Sequence, residues 1–252
     1  MKIQYYSDIH LEFSANQKYL RQQPLDVTGE ILIMAGDVVP LHESFFKDEF
    51  FDKIAGCYKI VFWVPGNHEY YHKDLMEFPF EMNIKIRENV FIVNNISLVY
   101  DQVFFVFSTL WSKISQQNKR IVEQFVEDFD CILKNDKKLK AGDFNKLHLE
   151  SLQFLKRSLG TNPGFPTVVV THHLPSLLCN SRKHRKSMIN EAFCADLTDF
   201  IENCGANFWI YGHSHFNQKP IIIGNTILLT NQLGYVQQKE NLDFRPEAYF
   251  IV

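Results

Sequence analysis

The chain has 252 residues, a formal net charge of −3, 46% hydrophobic and 22% charged residues, an ordinary globular balance that excludes disorder and fibrous repeats. This length supports one well-filled core, and no Pro/Gly/Ser-rich linker divides it, so a single domain over 1–252 is expected. The small negative charge gives no general attraction to nucleic acid or anionic membrane. The apolar runs are far shorter than a membrane span, and residues 1–6 carry no signal-peptide pattern, so a cytoplasmic location is the expectation.

In chain order, residues 3–6, Ile31–Ala35 and Ile60–Val64 are apolar runs rich in Val, Ile, Phe, Tyr and Trp without helical periodicity. They read as strands buried on both faces, separated by enough chain for parallel crossovers. Residues 42–55 space Phe45, Phe46, Phe50, Phe51 and Ile54 as a helix does. Residues 71–88 carry Leu75, Met76, Ile84 and Ile86 in a helical reading that Pro79 interrupts. From Val90, short runs at 90–93, 97–100 and 103–107, separated by Asn94-Asn95 and Asp101-Gln102, predict antiparallel hairpins.

Residues 111–146 are charge-rich, with Ile121, Val122, Phe125, Val126 and Phe129 at amphipathic spacing. This predicts a helical excursion at about 112–148, largely a solvated face, returning through Lys137-Lys138 to a helix around 147–159. Residues 168–170 and 207–211 are further buried strands. A last cluster at 220–223, Thr226–Leu229 and 248–252 has Gly224-Asn225 as a tight turn. Two sheets with helices outside them follow. Five cysteines, Cys57, Cys131, Cys179, Cys194 and Cys204, odd in number and without Cys-x-x-Cys spacing, are expected to be reduced thiols.

Five of the buried runs end in polar clusters: Ser7-Asp8-Ile9-His10, Gly36-Asp37, Gly66-Asn67-His68-Glu69, Thr171-His172-His173 and Gly212-His213-Ser214-His215. In open α/β sheets ligands gather outside the carboxyl ends of strands, where each cluster falls. Asp, His and Asn suit Mn, Fe or Zn, and Asp37 has two oxygens with which to bridge two cations. A two-metal centre would use all these groups to orient a phosphoryl group and generate hydroxide at neutral pH. Asn67 offers a neutral carbonyl oxygen, which leaves His68 free to donate a proton to a leaving oxygen.

The ordered set Asp8-x-His10, Gly36-Asp37, Gly66-Asn67-His68-Glu69, Thr171-His172 and Gly212-His213-x-His215 resembles the calcineurin-like metallophosphoesterases, in the family's order and over nearly the whole chain. The resemblance implies a four-layer α/β/β/α sandwich of two mixed sheets flanked by helices, with a dinuclear metal site. By it, one ion would be held by Asp8, His10, Asp37 and His215, and the other by Asp37, Asn67, His172 and His213. A hydroxide bridging the ions would attack phosphorus in line while His68 assists the leaving group. Many protein phosphatases of that family follow Gly-Asp with a phosphate-clamping Arg, but Gly36-Asp37-Val38-Val39-Pro40 offers none. The Thr171 to Ser176 and Trp209 to His215 segments look more like the small bacterial-type branch.

The expected activity is therefore hydrolysis of a small phosphate ester or nucleotide, as mono- or diesterase. The rivals are a nuclease on the same site, disfavoured by the charge, and a catalytically silent binding or scaffold module of the same fold. His172 is preferred to His173 as ligand because it comes first after the strand, leaving His173 to support the site or contact substrate. In the basic run from Arg182 to Lys186, Arg182 and Arg185 are candidate anion contacts against the plainer reading of a solvated loop. Glu69 and His72 read as helix-capping or solvated residues, His42 and His148 as structural, and Asn231 and Tyr235 as candidates for the site mouth.

Overall fold

The computed structural model describes residues 1–181 and 184–252. Its strands are β1 (Lys2–Tyr6), β2 (Ile31–Ala35), β3 (Ile60–Val64), β4 (Met82–Arg87), β5 (Val90–Asn94), β6 (Ile96–Tyr100), β7 (Val103–Ser108), β8 (Leu133–Lys134), β9 (Lys137–Lys138), β10 (Thr167–Thr171), β11 (Phe208–Ile210), β12 (Ile221–Ile223), β13 (Thr226–Leu229) and β14 (Tyr249–Ile251). The α-helices are α1 (Ser14–Gln22), α2 (Glu49–Cys57), α3 (Lys119–Phe125), α4 (Asp128–Cys131), α5 (Ala141–Gly160) and α6 (Thr198–Asn203).

Both large sheets are built alike. The first has the order β14-β1-β2-β3-β5-β4 and the second β12-β13-β11-β10-β7-β6. In each, the central strands are parallel and only the edge strands pair antiparallel. Strand alternation then divides the apolar residues between two faces. Ile31, Ile33 and Ala35 of β2 pack between the sheets against Phe105, Phe107, Val168 and Val170. Leu32 and Met34 point the other way, into a layer with Phe51 and Ile54 of α2. Outside the second sheet, Val169 and Trp209 meet Phe154 and Leu155 of α5 and Ile201 of α6. Three apolar layers thus separate four structural ones, and the chain forms the expected α/β/β/α sandwich of two mixed sheets.

Several local expectations are corrected. The helix expected over 42–55 is interrupted at Asp48, whose backbone is extended (φ −62°, ψ 137°) and whose carboxylate accepts from Phe50 N at 2.8 Å, so α2 starts afresh there. Ile84 and Ile86 lie in β4, not a helix; two residues apart, they suit a strand equally, and pairing with β5 decides the matter. Asp101-Gln102 does turn β6 into β7, but Asn94-Asn95 makes no hairpin. It carries the chain from β5 in the first sheet to β6 in the second. The two amides stitch the sheets together, Asn95 Oδ1 accepting from Ser108 Oγ at 2.7 Å and Asn94 Oδ1 from Thr109 N at 2.8 Å.

In the excursion, the amphipathic segment is split into α3 and α4 by the extended backbone of Val126 (φ −104°, ψ 122°). The β8–β9 ribbon follows, and α5 begins at Ala141, earlier than the periodicity indicated. Among the described residues, no helix is long and apolar enough to cross a membrane. All five cysteines are free thiols.

Phe62 joins the sheets most directly: it is 2% exposed, with ring centroids 4.9 Å from Phe107 and 5.5 Å from Phe105. Phe62→Ala should lower unfolding stability by about 3–5 kcal/mol, the cost of an unfilled aromatic site. A denaturant titration with midpoint unchanged from wild type would refute that placement in the shared core.

Candidate metal centre

Because the central strands of each sheet are parallel, their carboxyl ends share one edge, and the two sheets bring those edges together. Asp8 and His10 follow β1, Asp37 follows β2, and Asn67 and His68 follow β3; His172 follows β10, while His213 and His215 follow β11. Two glycines permit the approach. A side chain at Gly36 (φ +90°) would run into the His172 ring, and one at Gly66 into the Asp37 carboxylate. The backbone at the strand ends is unusual as well. Asp8 (φ 55°), His10 (45°), Asp37 (53°), His213 (78°) and His215 (50°) all lie in the left-handed region, which costs of order 1–3 kcal/mol per non-glycine residue. That turn aims successive side chains from a strand end into one space.

The result is a set of buried, overlapping donor groups. One atom each from Asp8, His10, Asp37 and His215 lie within 4.8 Å of one another, as do atoms from Asp37, His172 and His213. Asp37, 1% exposed, belongs to both groups. Asn67 Oδ1 is 3.1 Å from His172 Nε2, which is also 3.3 Å from Asp37 Oδ1 and 3.2 Å from His213 Nδ1. Across the site, His10 Nε2 and His215 Nε2 face each other at 3.0 Å.

This arrangement fits cations. His172 Nδ1 is 2.8 Å from Ala35 O, a carbonyl that only an N–H can satisfy. With its proton there, Nε2 faces Asp37 Oδ1 and Asn67 Oδ1, and a second proton or a cation is needed to satisfy the three atoms. His10 Nδ1 meets Glu12 Oε1 at 3.0 Å and His215 Nδ1 meets Glu240 Oε2 at 2.6 Å, again fixing the outer nitrogen and freeing Nε2. His213 Nε2 is buried without a hydrogen-bond partner among the described residues. The field also calls for positive charge. Burial opposes charge on His172, yet Asp37 pulls it up to about 9; burial opposes it on His215, yet Asp8 and Glu240 raise it to about 10. Burial likewise disfavours the Asp37 carboxylate, but His172 and His68 hold its pKa well below the usual range.

His68 is 6% exposed and its ring is clamped from three sides. Nδ1 meets Glu12 Oε1 at 2.9 Å, Nε2 lies 3.3 Å from Tyr235 OH, and the ring stacks on Tyr71 with centroids 4.1 Å apart at 22°. Its backbone N–H donates to Asp37 Oδ1 at 3.0 Å. A cavity of about 420 Å³ opens over Asp37, Asn67, His68 and His213, with Phe125, Val126, Ile189 and Phe193 on its apolar side.

Sequence reading missed several residues that hold this site. Glu69 neither caps nor solvates a helix: it is 0% exposed and accepts from Asp37 N, Gly66 N, Val38 N and Trp63 Nε1 at 2.7–3.0 Å. Its one available signal was its position directly after Asn67-His68. Glu12, two residues beyond His10, carried a similar weak signal through strand-like spacing. Asp128, Tyr71 and Glu240 carried none. Tyr235 lines the cavity as expected, but Asn231 is committed elsewhere, donating to Tyr5 O at 3.1 Å and Arg245 O at 2.8 Å.

The candidate substrate contacts fare differently. His173 is 0% exposed, packs on His213 with ring centroids 4.3 Å apart and is absent from the cavity lining, its Nδ1 lying 3.3 Å from Thr109 O and its ring against Trp111. Arg185 turns its guanidinium to its own loop, donating Nε to Asn180 O at 3.2 Å, and does not line the cavity; its neighbour His184 does. Arg182 lies outside the described residues.

Buried Asp, His and Asn side chains at the facing strand ends of a four-layer sandwich define a metallohydrolase class. The calcineurin-like phosphoesterase family model matches residues 1–217. An uncharacterized protein of Acanthamoeba polyphaga mimivirus is 33% identical over 275 residues, covering 98% of this chain and 95% of that protein. The crystal structure of the phosphopantetheinyl hydrolase of Mycobacterium tuberculosis superposes with a TM-score of 0.74 at 16% identity, over 96% of this chain and 92% of that one. The chain belongs to the calcineurin-like phosphoesterase family and is a metal-dependent hydrolase of phosphate esters.

Two outcomes test this geometry. Loading metal-stripped protein with Mn or Zn should raise Tm, since ligand at about 100 times Kd adds roughly 2.7 kcal/mol; an unchanged Tm across both metals would contradict the fit. Glu69→Gln places an amide N–H₂ against two of the four N–H donors, and should cost about 2–4 kcal/mol with weakened metal retention. Wild-type thermal stability in that variant would show that Glu69 does not organise the loops.

Proposed function

We propose that this chain hydrolyses small-molecule phosphate esters, as a phosphomonoesterase or phosphodiesterase, with two transition-metal ions of the Mn, Fe or Zn type held on either side of Asp37. One observation supports the reading above all: a single buried carboxylate belongs to two donor groups at once. On this reading Asp8, His10, Asp37 and His215 hold one ion, and Asp37, Asn67, His172 and His213 the other. Bound there, the cations would neutralise the phosphoryl oxygens and supply water of lowered pKa.

The side chains supply the rest. His68 is the candidate general acid: Glu12 accepts from Nδ1, which leaves Nε2 as the atom that can pass a proton to the leaving oxygen. Stacking on Tyr71 and the contact with Tyr235 keep that nitrogen turned to the cavity. Glu69 holds the Asp37 and Gly66 loops at fixed spacing, so the bridging carboxylate does not have to reorganise during turnover. The cavity volume is in the range of small-molecule sites, and its apolar flank of Phe125, Val126, Ile189 and Phe193 suits an organic alcohol portion.

The test is hydrolysis by metal-stripped protein reloaded with Mn, Fe or Zn, against aryl mono- and diesters, nucleotides, cyclic phosphodiesters and a phosphopantetheinyl ester, the last because of the structural neighbour's activity. Turnover of at least one class, abolished by chelator, is expected; no turnover with any metal would overturn the proposal. Asp37→Asn should lower activity at least about 100-fold and reduce bound metal. His68→Ala should lower kcat by about 10²–10⁴-fold for poor leaving groups and less for nitrophenolate, with metal content intact.

A further inference from the structure

Asp128, on the first turn of α4, is 1% exposed. Among the described residues no Lys or Arg pairs with it, and a buried carboxylate without a cation is costly. Its Oδ1 accepts two hydrogen bonds, from Asn67 Nδ2 at 2.8 Å and from Tyr71 OH at 2.8 Å. Its Oδ2 has no partner among the described residues. Phe129 and Ile132, both buried in the outer core, anchor the backbone that presents it, and the Phe129 ring packs on Phe144 of α5 with centroids 5.6 Å apart.

The two donors are not equivalent bystanders. An asparagine side chain can present either end of its amide to a metal, and only the oxygen end can coordinate. A carboxylate at 2.8 Å from Nδ2 accepts N–H and repels C=O, which fixes the flip and turns Oδ1 to His172 Nε2. The second donor, Tyr71, is the ring against which His68 stacks. One oxygen of Asp128 thus fixes the amide of a candidate ligand and the aromatic support of the candidate acid.

We infer that Asp128 is a positioning residue of the hydrolytic site, through which the 112–148 excursion sets the coordinating face of Asn67 and the seat of the His68 ring. It rests on the reading of Asn67 as a ligand proposed above. The hydrogen bonds do the work rather than the charge: an Asn at 128 retains a carbonyl oxygen able to accept from both donors.

The experiment measures bound Mn per chain and its affinity by titration calorimetry for metal-stripped wild type, Asn67→Ala, Asp128→Ala, Asp128→Asn and Tyr71→Phe, with thermal unfolding of each apoprotein. Outer partners of metal ligands typically govern affinity by about 10–100-fold. Asp128→Ala should weaken one of two ions by that factor, as Asn67→Ala does, while Asp128→Asn stays within a few-fold of wild type and Tyr71→Phe shifts affinity least. If Asp128→Ala does not fold, Asp128→Ser takes its place. Unchanged Mn affinity in Asp128→Ala when Asn67→Ala loses an ion overturns this inference alone. Unchanged affinity in Asn67→Ala overturns the ligand reading and the inference with it. An Asp128→Asn variant as impaired as Asp128→Ala overturns the hydrogen-bonding account.

Discussion

Asp37 is the constraint around which the molecule is organised. Its carboxylate is buried at the meeting point of two sheets, lies within reach of four histidine side chains and accepts the backbone N–H of His68. Its own N–H is taken by Glu69, so a second buried carboxylate fixes the loop that carries the first. Burial and the Asp37 charge push the Glu69 carboxyl up to about 8, and positive charge near the pair relieves their repulsion. The surrounding imidazoles meet part of that demand: against burial, Asp37 pulls the His172 pKa up, and Asp8 and Glu240 that of His215.

The sandwich is what makes such a concentration of charge tolerable. Parallel central strands place every carboxyl end on the same edge, and the Phe62, Phe105 and Phe107 layer locks the sheets at fixed separation beneath it. Left-handed backbone at five of the candidate ligands is strained, and a loosely held loop would relax it. Here it persists because each loop is bonded to the next: Asp8 N donates to Gly36 O, His10 N to Asp37 O, Gly212 N to His172 O and His213 N to Asp8. The chain of contacts passes from the first sheet to the second and back, so no single strand end can move alone.

This division explains what was legible in the sequence. The buried strands and the candidate ligands announce themselves, since a run such as Ile31–Ala35 ending in Gly36-Asp37 combines two local signals. Helix ends were read less well, because Asp48 and Val126 break amphipathic patterns through backbone choices the periodicity does not record. Asn94-Asn95 has the composition of a turn, and only the second sheet's Ser108 and Thr109 reveal it as a crossing between sheets. Glu69 looked like a helix cap because its four donors come from two separate loops and a strand. Support residues that act at long sequence distance leave no periodicity to find.

The excursion shows the same limit in its sharpest form. Its charges face solvent, as composition suggests, except that Asp128 and its apolar neighbours turn inward. The preceding residues, Phe125, Val126 and Glu127, line the cavity, while Asp128 bonds to Asn67 one step further along the chain. The cavity lining at Phe125, Val126 and Glu127 and the contact with Asn67 are therefore adjacent in sequence and share one backbone. A change of side chain in this segment would act on both at once, because Asp128 shares the backbone of the cavity lining. Its buried carboxylate, bonded to Asn67 and Tyr71 and paired with no Lys or Arg among the described residues, couples the excursion to the loop that follows β3.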